Sequence, residues 1–141
     1  KNIGGEELDD YSGLIYTNPF IAACMAVFLL SLAGIPPTAG FIAKYWVFGA
    51  VIKSYLATYD RLFLYVAVAG ALNAVVALFY YFRIVKRIFM GEERPIPPLA
   101  MGVCARIALG VTLAATLFIG LFPEPVIRMA SWIYMTFAGL Q

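Results

Sequence analysis

The chain has 141 residues, of which 63% are hydrophobic, 16% are aromatic and only 13% are charged. A soluble protein carries about a quarter Asp, Glu, Lys and Arg, so water cannot be the solvent for most of this chain's exterior. The net charge is only +2 and no basic stripe alternates with aromatic residues, so we expect no nucleic acid partner.

The charged residues are clustered and leave long uncharged segments between them. No charge occurs from Leu62 to Phe82 or from Ile107 to Pro123. Such lengths match the helix of about 20 residues that crosses a bilayer core roughly 30 Å thick. Several of them together argue against the alternative, buried helices of a large soluble protein. The pattern predicts an all-α, polytopic membrane protein that contacts the lipid bilayer.

Residues 1–18 are predicted to form a polar loop, followed by a helix start at Asn18-Pro19. Asn18 is expected to cap the free amides, and Pro19 suits the first helical position. The apolar run that follows must stop at Gly34-Ile35-Pro36-Pro37, because two prolines remove backbone donors and disfavour helical geometry before them. A second apolar run continues to residue 57.

The two runs on either side of this stop allow two interpretations. About fifteen residues make roughly 22 Å of helix, which is shorter than a bilayer core. Residues 19–57 are either a tight hairpin of two short spans or one discontinuous transmembrane helix broken at Gly34–Pro37. We favour the broken helix, because interrupted hydrophobic segments are the sequence pattern of transport sites.

The rest of the chain is predicted to hold two continuous spans and a short terminal helix. The spans are 62–87 and 106–122, joined by a basic loop at 88–105. Basic residues exceed acidic ones by five to two between Arg83 and Arg106, which places this loop in the cytoplasm. By the same count, loop 1–18 is cytoplasmic and the chain end lies outside. Residues 124–139 are too few to cross and predict an interfacial helix.

Lys44 is the sharpest candidate for chemistry. It lies in an apolar context a few residues after the break, where a lysine costs about 2.5–3.5 kcal/mol to insert. Desolvation disfavours the charged form of such a lysine, so it can both take and release a proton, as a proton relay requires. The alternatives are a lysine that reaches an interface or one held in a structural ion pair.

Other polar residues have simpler interpretations. Lys53 is expected to anchor at an interface. Asn73 is expected to make a helix–helix hydrogen bond, with a place in a polar path as the minority view. Cys24 and Cys104 have no metal-binding spacing, and the chain has no histidine. We find no metal or cofactor site and no bond-making active site in the sequence.

The stretch Leu30-Ser31-Leu32-Ala33-Gly34-Ile35-Pro36-Pro37-Thr38-Ala39-Gly40-Phe41-Ile42-Ala43-Lys44 closely resembles the subunit N family of the proton-pumping NADH–quinone oxidoreductase (respiratory complex I). Asp10-Tyr11-Ser12-Gly13-Leu14, Asn18-Pro19 and Tyr80-Tyr81-Phe82-Arg83 resemble it in the same order. Because Lys1 is not a start methionine, we expect a piece of a longer chain.

The resemblance implies the C-terminal three spans of a fourteen-helix, antiporter-like subunit. Lys44 would then belong to a buried chain of proton-carrying residues, and residues 19–57 would be the discontinuous helix. The resemblance also implies that flavin, iron–sulfur clusters and quinone belong to other subunits. Expected partners are the neighbouring antiporter-like subunit and small membrane subunits. The expected location is the cell (inner) membrane or an energy-transducing organelle membrane.

Three functions compete. The first is a proton-translocating subunit of a redox-driven enzyme, coupled to electron transfer from NADH to quinone. The second is a cation/proton antiporter subunit of the same superfamily without a redox partner. The third is a subunit that only packs in the membrane.

Overall fold

A computed structural model of the chain describes residues 12–91 and 101–137. Every regular element within these ranges is a helix, which confirms the all-α prediction. The helices are α1 (Leu14–Thr17), α2 (Pro19–Ala33), α3 (Ala39–Thr58), α4 (Arg61–Met90), α5 (Val103–Leu121) and α6 (Glu124–Phe137). The predicted loop 1–18 contains the short helix α1, where Leu14 is buried, so the prediction of a loop was wrong there. Most of that loop, the middle of the basic loop and the end of the predicted terminal helix lie outside the described residues.

The start of α2 differs from its prediction in the role of Asn18. Pro19 lies in the first turn as expected, but the Asn18 side chain makes no capping hydrogen bond. Asn18 also ends α1, and its backbone amide donates to the Leu14 carbonyl oxygen at 2.9 Å. Its φ of −142° and ψ of 75° therefore differ from the extended geometry from which an N-cap side chain reaches the next amides. The prediction of an asparagine cap was wrong.

α4 is the longest helix, with 30 residues and a length of about 45 Å. It begins at an N-cap, where the Asp60 side chain accepts a hydrogen bond from the Leu62 amide at 2.9 Å. It continues to Met90, beyond the predicted end at 87, because Ile88 is fully buried against Leu14 and Ala22. α5 likewise begins at Val103, so the interhelical segment is shorter than the predicted 88–105.

α2 and α3 lie end to end along α4. The first half of α2 packs on the C-terminal part of α4, where Ala22 meets Ile88. α3 packs on the middle of α4, where a methyl group on Gly70 would lie 3.0 Å from the Phe48 ring. The hydrogen bonds and close contacts between the two helices join the last turn of α2 to the first turns of α3. These contacts favour a broken helix over a hairpin, and a single crossing of the membrane by residues 19–57 stays a prediction.

α5 packs against the break itself. A methyl group on Gly120 would overlap the Pro37 carbonyl oxygen and lie 2.6 Å from the Thr38 Cα atom. At the other end, Met101 and Arg106 border the start of α2. α5 therefore runs alongside α2 and brings a glycine onto the break, where only a residue without a side chain fits.

Two of the described helices are long and apolar enough to cross a membrane. These are α4 and α5, and none of the residues in the most apolar segment of either is buried within the chain. Large apolar side chains on α4, such as Val76 and Phe79, are two-thirds or more exposed. Their apolar faces must be covered by lipid or by other protein, as expected for a polytopic membrane protein.

Candidate functional site

Lys44 lies on the second turn of α3, and its side chain reaches back to the end of α2. Its Nζ donates hydrogen bonds to the Leu32 carbonyl oxygen at 2.9 Å and to the Ala33 carbonyl oxygen at 2.7 Å. Both acceptors belong to the last turn of α2, eleven and twelve residues earlier in the chain. The lysine therefore joins the two halves of the broken helix.

The end of α2 explains why these two carbonyl groups are available. Gly34 adopts the left-handed conformation, with φ of 84°, and its amide donates to Leu30 and Ser31. The Ile35 amide also donates to Leu30 at 3.0 Å. This Schellman motif satisfies the earlier carbonyl groups and leaves the last two of the helix without a backbone donor.

The ammonium group of Lys44 thus occupies the negative end of the α2 dipole. Carbonyl oxygens at a helix C-terminus stabilise a nearby cation, and hydrogen bonds to a charged donor are the stronger kind. The prediction from sequence considered only the desolvation of the lysine. The structure adds two acceptors that offset part of this desolvation cost.

Gly34 also provides the space for the Lys44 side chain. A methyl group on Gly34 would lie 2.7 Å from the Lys44 Cδ atom and 3.1 Å from Nζ. Gly34 is therefore required twice, for its positive φ and for its close approach to Lys44. The residues predicted at the break have different places in it. Gly34 ends α2, and Pro36 and Pro37 follow in the non-helical segment.

A second contact between the two half-helices was not predicted. The Gly40 amide donates to the Ser31 Oγ atom at 3.1 Å, and a methyl group on Gly40 would overlap the Ser31 carbonyl group. This bond satisfies one of the free amides at the start of α3. The only signal in the sequence is a glycine directly after a helix start, which alone does not identify its partner.

Clefts border Lys44 on two sides of α3. One has a volume of about 390 Å³ and brings Lys44 together with Asn73 and Tyr81 of α4. The other has a volume of about 680 Å³ and includes Lys53, whose side chain is exposed. Asn73 was a candidate for a polar path from the sequence, but Tyr81 was not. The position of Tyr81 beside Arg83 is also typical of an interfacial aromatic residue.

The two cysteines differ in burial. Cys24 is buried in α2, whereas Cys104 is exposed on α5, and both are free thiols. Among residues 12–91 and 101–137 there is no cluster of metal-ligating side chains.

α6 follows α5 after two residues and is 14 residues long, about 21 Å. An exposed ion pair joins Arg128 and Glu124 at 3.4 Å on its first turns. Its length is below that of a membrane span. The interfacial position of this helix stays a prediction.

Comparison with known proteins places the chain in a family. The family described as NADH:quinone oxidoreductase/Mrp antiporter, TM, matches residues 3–84, which is more than half of the chain. A relative named NADH-quinone oxidoreductase subunit N 2, from Solibacter usitatus, is 45% identical over 92% of the chain and 25% of its own length.

Two further relatives are similar. Subunit N 1 from Koribacter versatilis is 40% identical over 94% of the chain and 24% of its own length. Subunit N from Desulforamulus reducens is 33% identical over 94% of the chain and 26% of its own length. The chain spans about a quarter of the length of these curated relatives. It is an all-helical membrane protein that belongs to the NADH:quinone oxidoreductase/Mrp antiporter transmembrane family.

Proposed function

We propose that the chain is part of a membrane-arm subunit of NADH–quinone oxidoreductase that translocates protons, driven by electron transfer from NADH to quinone in other subunits. Its relatives at 33–45% identity are named as subunit N of that enzyme, which supports this assignment. The partners are then the neighbouring antiporter-like subunit and small membrane subunits, and the location is an energy-transducing membrane such as the cell inner membrane. Flavin and iron–sulfur clusters belong to the partner subunits.

The geometry of Lys44 carries the proposal. A protonated lysine has three N–H groups and a neutral one has two. The two carbonyl groups of Leu32 and Ala33 can therefore be satisfied in both states, while the third proton leaves or returns. The same two hydrogen bonds can therefore hold the side chain in place in both protonation states.

The backbone around Lys44 supports the same function. Irregular backbone at membrane depth persists only where it is buried in protein or lines a water-filled cavity. Here the break at 34–38 lies beside the middle of α4 and is covered by α5 at Gly120. Clefts on both sides of Lys44 supply space for water next to the amine.

The experiment compares Lys44→Met with Lys53→Met in the whole enzyme. Both variants remove a lysine from α3, but Lys53 makes no hydrogen bond to a described residue. Proton pumping and NADH–quinone electron transfer are recorded in the same membranes, with enzyme content measured independently. We expect Lys44→Met to lose most of the pumping and Lys53→Met to retain it. Equal pumping by Lys44→Met and the parent would refute the proposal.

The family description also covers antiporters, which keeps the cation/proton antiporter as a second candidate. The two candidates differ in their partners. A subunit of the redox enzyme copurifies with NADH-oxidising activity and iron–sulfur absorbance, whereas an antiporter subunit does not. Purification of the intact assembly through a tag on this subunit separates them.

A further inference from the structure

The cleft between Lys44 and α4 has a wall that is apolar except at three points. Lys44, Asn73 and Tyr81 are the only polar side chains among the residues that line it. Its volume of about 390 Å³ leaves room for several water molecules. In an apolar wall, water is ordered at the polar groups, so these three side chains define where a hydrogen-bonded chain can run.

Asn73 and Tyr81 lie on one face of α4. They are eight residues apart, about 12 Å along the helix axis, and small residues at Ala74 and Ala77 leave the space between them open. Tyr81 is nearer to the end of α4 that carries Arg83 and the other basic residues. The cleft therefore extends from Lys44 toward the face that the charge pattern assigns to the cytoplasm.

The hydroxyl group of Tyr81 is unused by the fold. The side chain is half-buried, and its ring packs edge to face with Tyr80 at a centroid distance of 5.7 Å. Its hydroxyl makes no hydrogen bond to any residue in 12–91 or 101–137. A phenol in such a position normally has a partner, and water in the cleft supplies one.

We propose that Tyr81 is a further proton-path residue, which connects Lys44 through water to the basic end of α4. This inference rests on the proposed function of Lys44. The ammonium group of Lys44 gives one proton to a water molecule in the cleft. The proton passes along water in the cleft, which the Asn73 amide helps to order without gaining or losing a proton. The Tyr81 hydroxyl accepts it from one water while donating its own to the next, so proton number is conserved and no electron moves.

The test uses Tyr81→Phe, which removes only the hydroxyl group. Tyr65→Phe is the matched control, because Tyr65 lies on the same helix, is exposed and does not line this cleft. Proton pumping and electron transfer are measured in membranes of equal enzyme content, with Lys44→Met as the reference. We expect Tyr81→Phe to lower both rates several-fold and Tyr65→Phe to leave them at the parent level. Tyr81→His, which restores a hydrogen-bonding group, should recover part of the rate.

Each outcome separates the two hypotheses. If Tyr81→Phe pumps like Tyr65→Phe while Lys44→Met does not pump, Tyr81 is outside the path and the function of Lys44 stands. If Tyr81→Phe is impaired and Tyr81→His recovers nothing, a hydrogen-bonding group at this position does not carry the rate and the inference fails. If Lys44→Met pumps normally, the proposed function and this inference fail together.

Discussion

Lys44 binds the last carbonyl groups of α2 in this structure, and it is also the proton carrier that we propose. The two roles require different properties of a residue that replaces Lys44. Capping needs a hydrogen-bond donor of similar length, whereas proton transfer needs a group that can lose its proton. Arginine supplies the first but not the second, because it keeps its proton at physiological pH.

The capping role predicts different stabilities for two substitutions of Lys44. Lys44→Met leaves the Leu32 and Ala33 carbonyl groups without this donor, and the loss at the buried Ala33 should cost about 1–3 kcal/mol. Lys44→Arg retains donors and should lose less than half as much. The thermal dissociation midpoint of the subunit in detergent measures this difference. Identical midpoints for Met and the parent would show that the two hydrogen bonds do not stabilise the break.

The conformation of Gly34 leads to a second prediction, for the stability and pumping of Gly34→Ala. Gly34→Ala places a side chain at a φ of 84° and against the Lys44 Cδ atom, so it should cost about 1–3 kcal/mol and displace the amine. Gly49→Ala on α3 is the control, because a methyl group there meets nothing within 4 Å. We expect lower pumping only for Gly34→Ala. If the two variants pump equally well, the close approach of Gly34 and Lys44 is not needed for function.

Among the helices, three contacts stabilise the break between α2 and α3. Lys44 and the Ser31–Gly40 hydrogen bond join α2 to α3, and α5 covers the turn with Gly120. A non-helical segment beside the middle of a 30-residue helix needs such support, because bilayer lipid satisfies no backbone groups.

Gly120 provides the test at this scale. Gly120→Ala would bring a methyl group into the Pro37 carbonyl oxygen, so α5 has to move away from the break. Gly110→Ala on the same helix meets nothing within 4 Å and should be neutral or slightly stabilising. Thermal dissociation and pumping of the two variants are compared. Equal behaviour would mean that α5 does not pack on the break as described.

The helices were largely predictable from the sequence, and their contacts were not. Uncharged length and the prolines are local signals, and they gave the number and order of the main helices. The partners of Lys44 depend on how α3 folds back onto α2, and those of Gly120 on where α5 crosses, so no local pattern encodes them. Asn18 is the opposite case. The sequence pattern predicted that its side chain caps α2, but Asn18 also ends α1 and makes no capping hydrogen bond.

At the scale of the whole molecule, the charge pattern predicts a fixed orientation in the membrane. The five-to-two excess of basic residues between Arg83 and Arg106 places that loop in the cytoplasm and the chain end on the other side. Single cysteines at Glu92 and Gln141, in a chain without Cys24 and Cys104, are labelled with an impermeant reagent. We expect labelling from opposite sides. Labelling of both positions from one side would contradict the orientation.

Proton transfer by Lys44, as we propose it, has to be separated from capping of α2 by the same side chain. The most direct measurement is the number of protons pumped per electron transferred in membranes that contain Lys44→Arg at the parent's enzyme content. Arginine keeps a charged donor at the two carbonyl groups and removes the exchangeable proton. We expect an assembled enzyme of near-parent stability with strongly reduced pumping. An assembled Lys44→Arg enzyme that pumps as many protons per electron as the parent would contradict it.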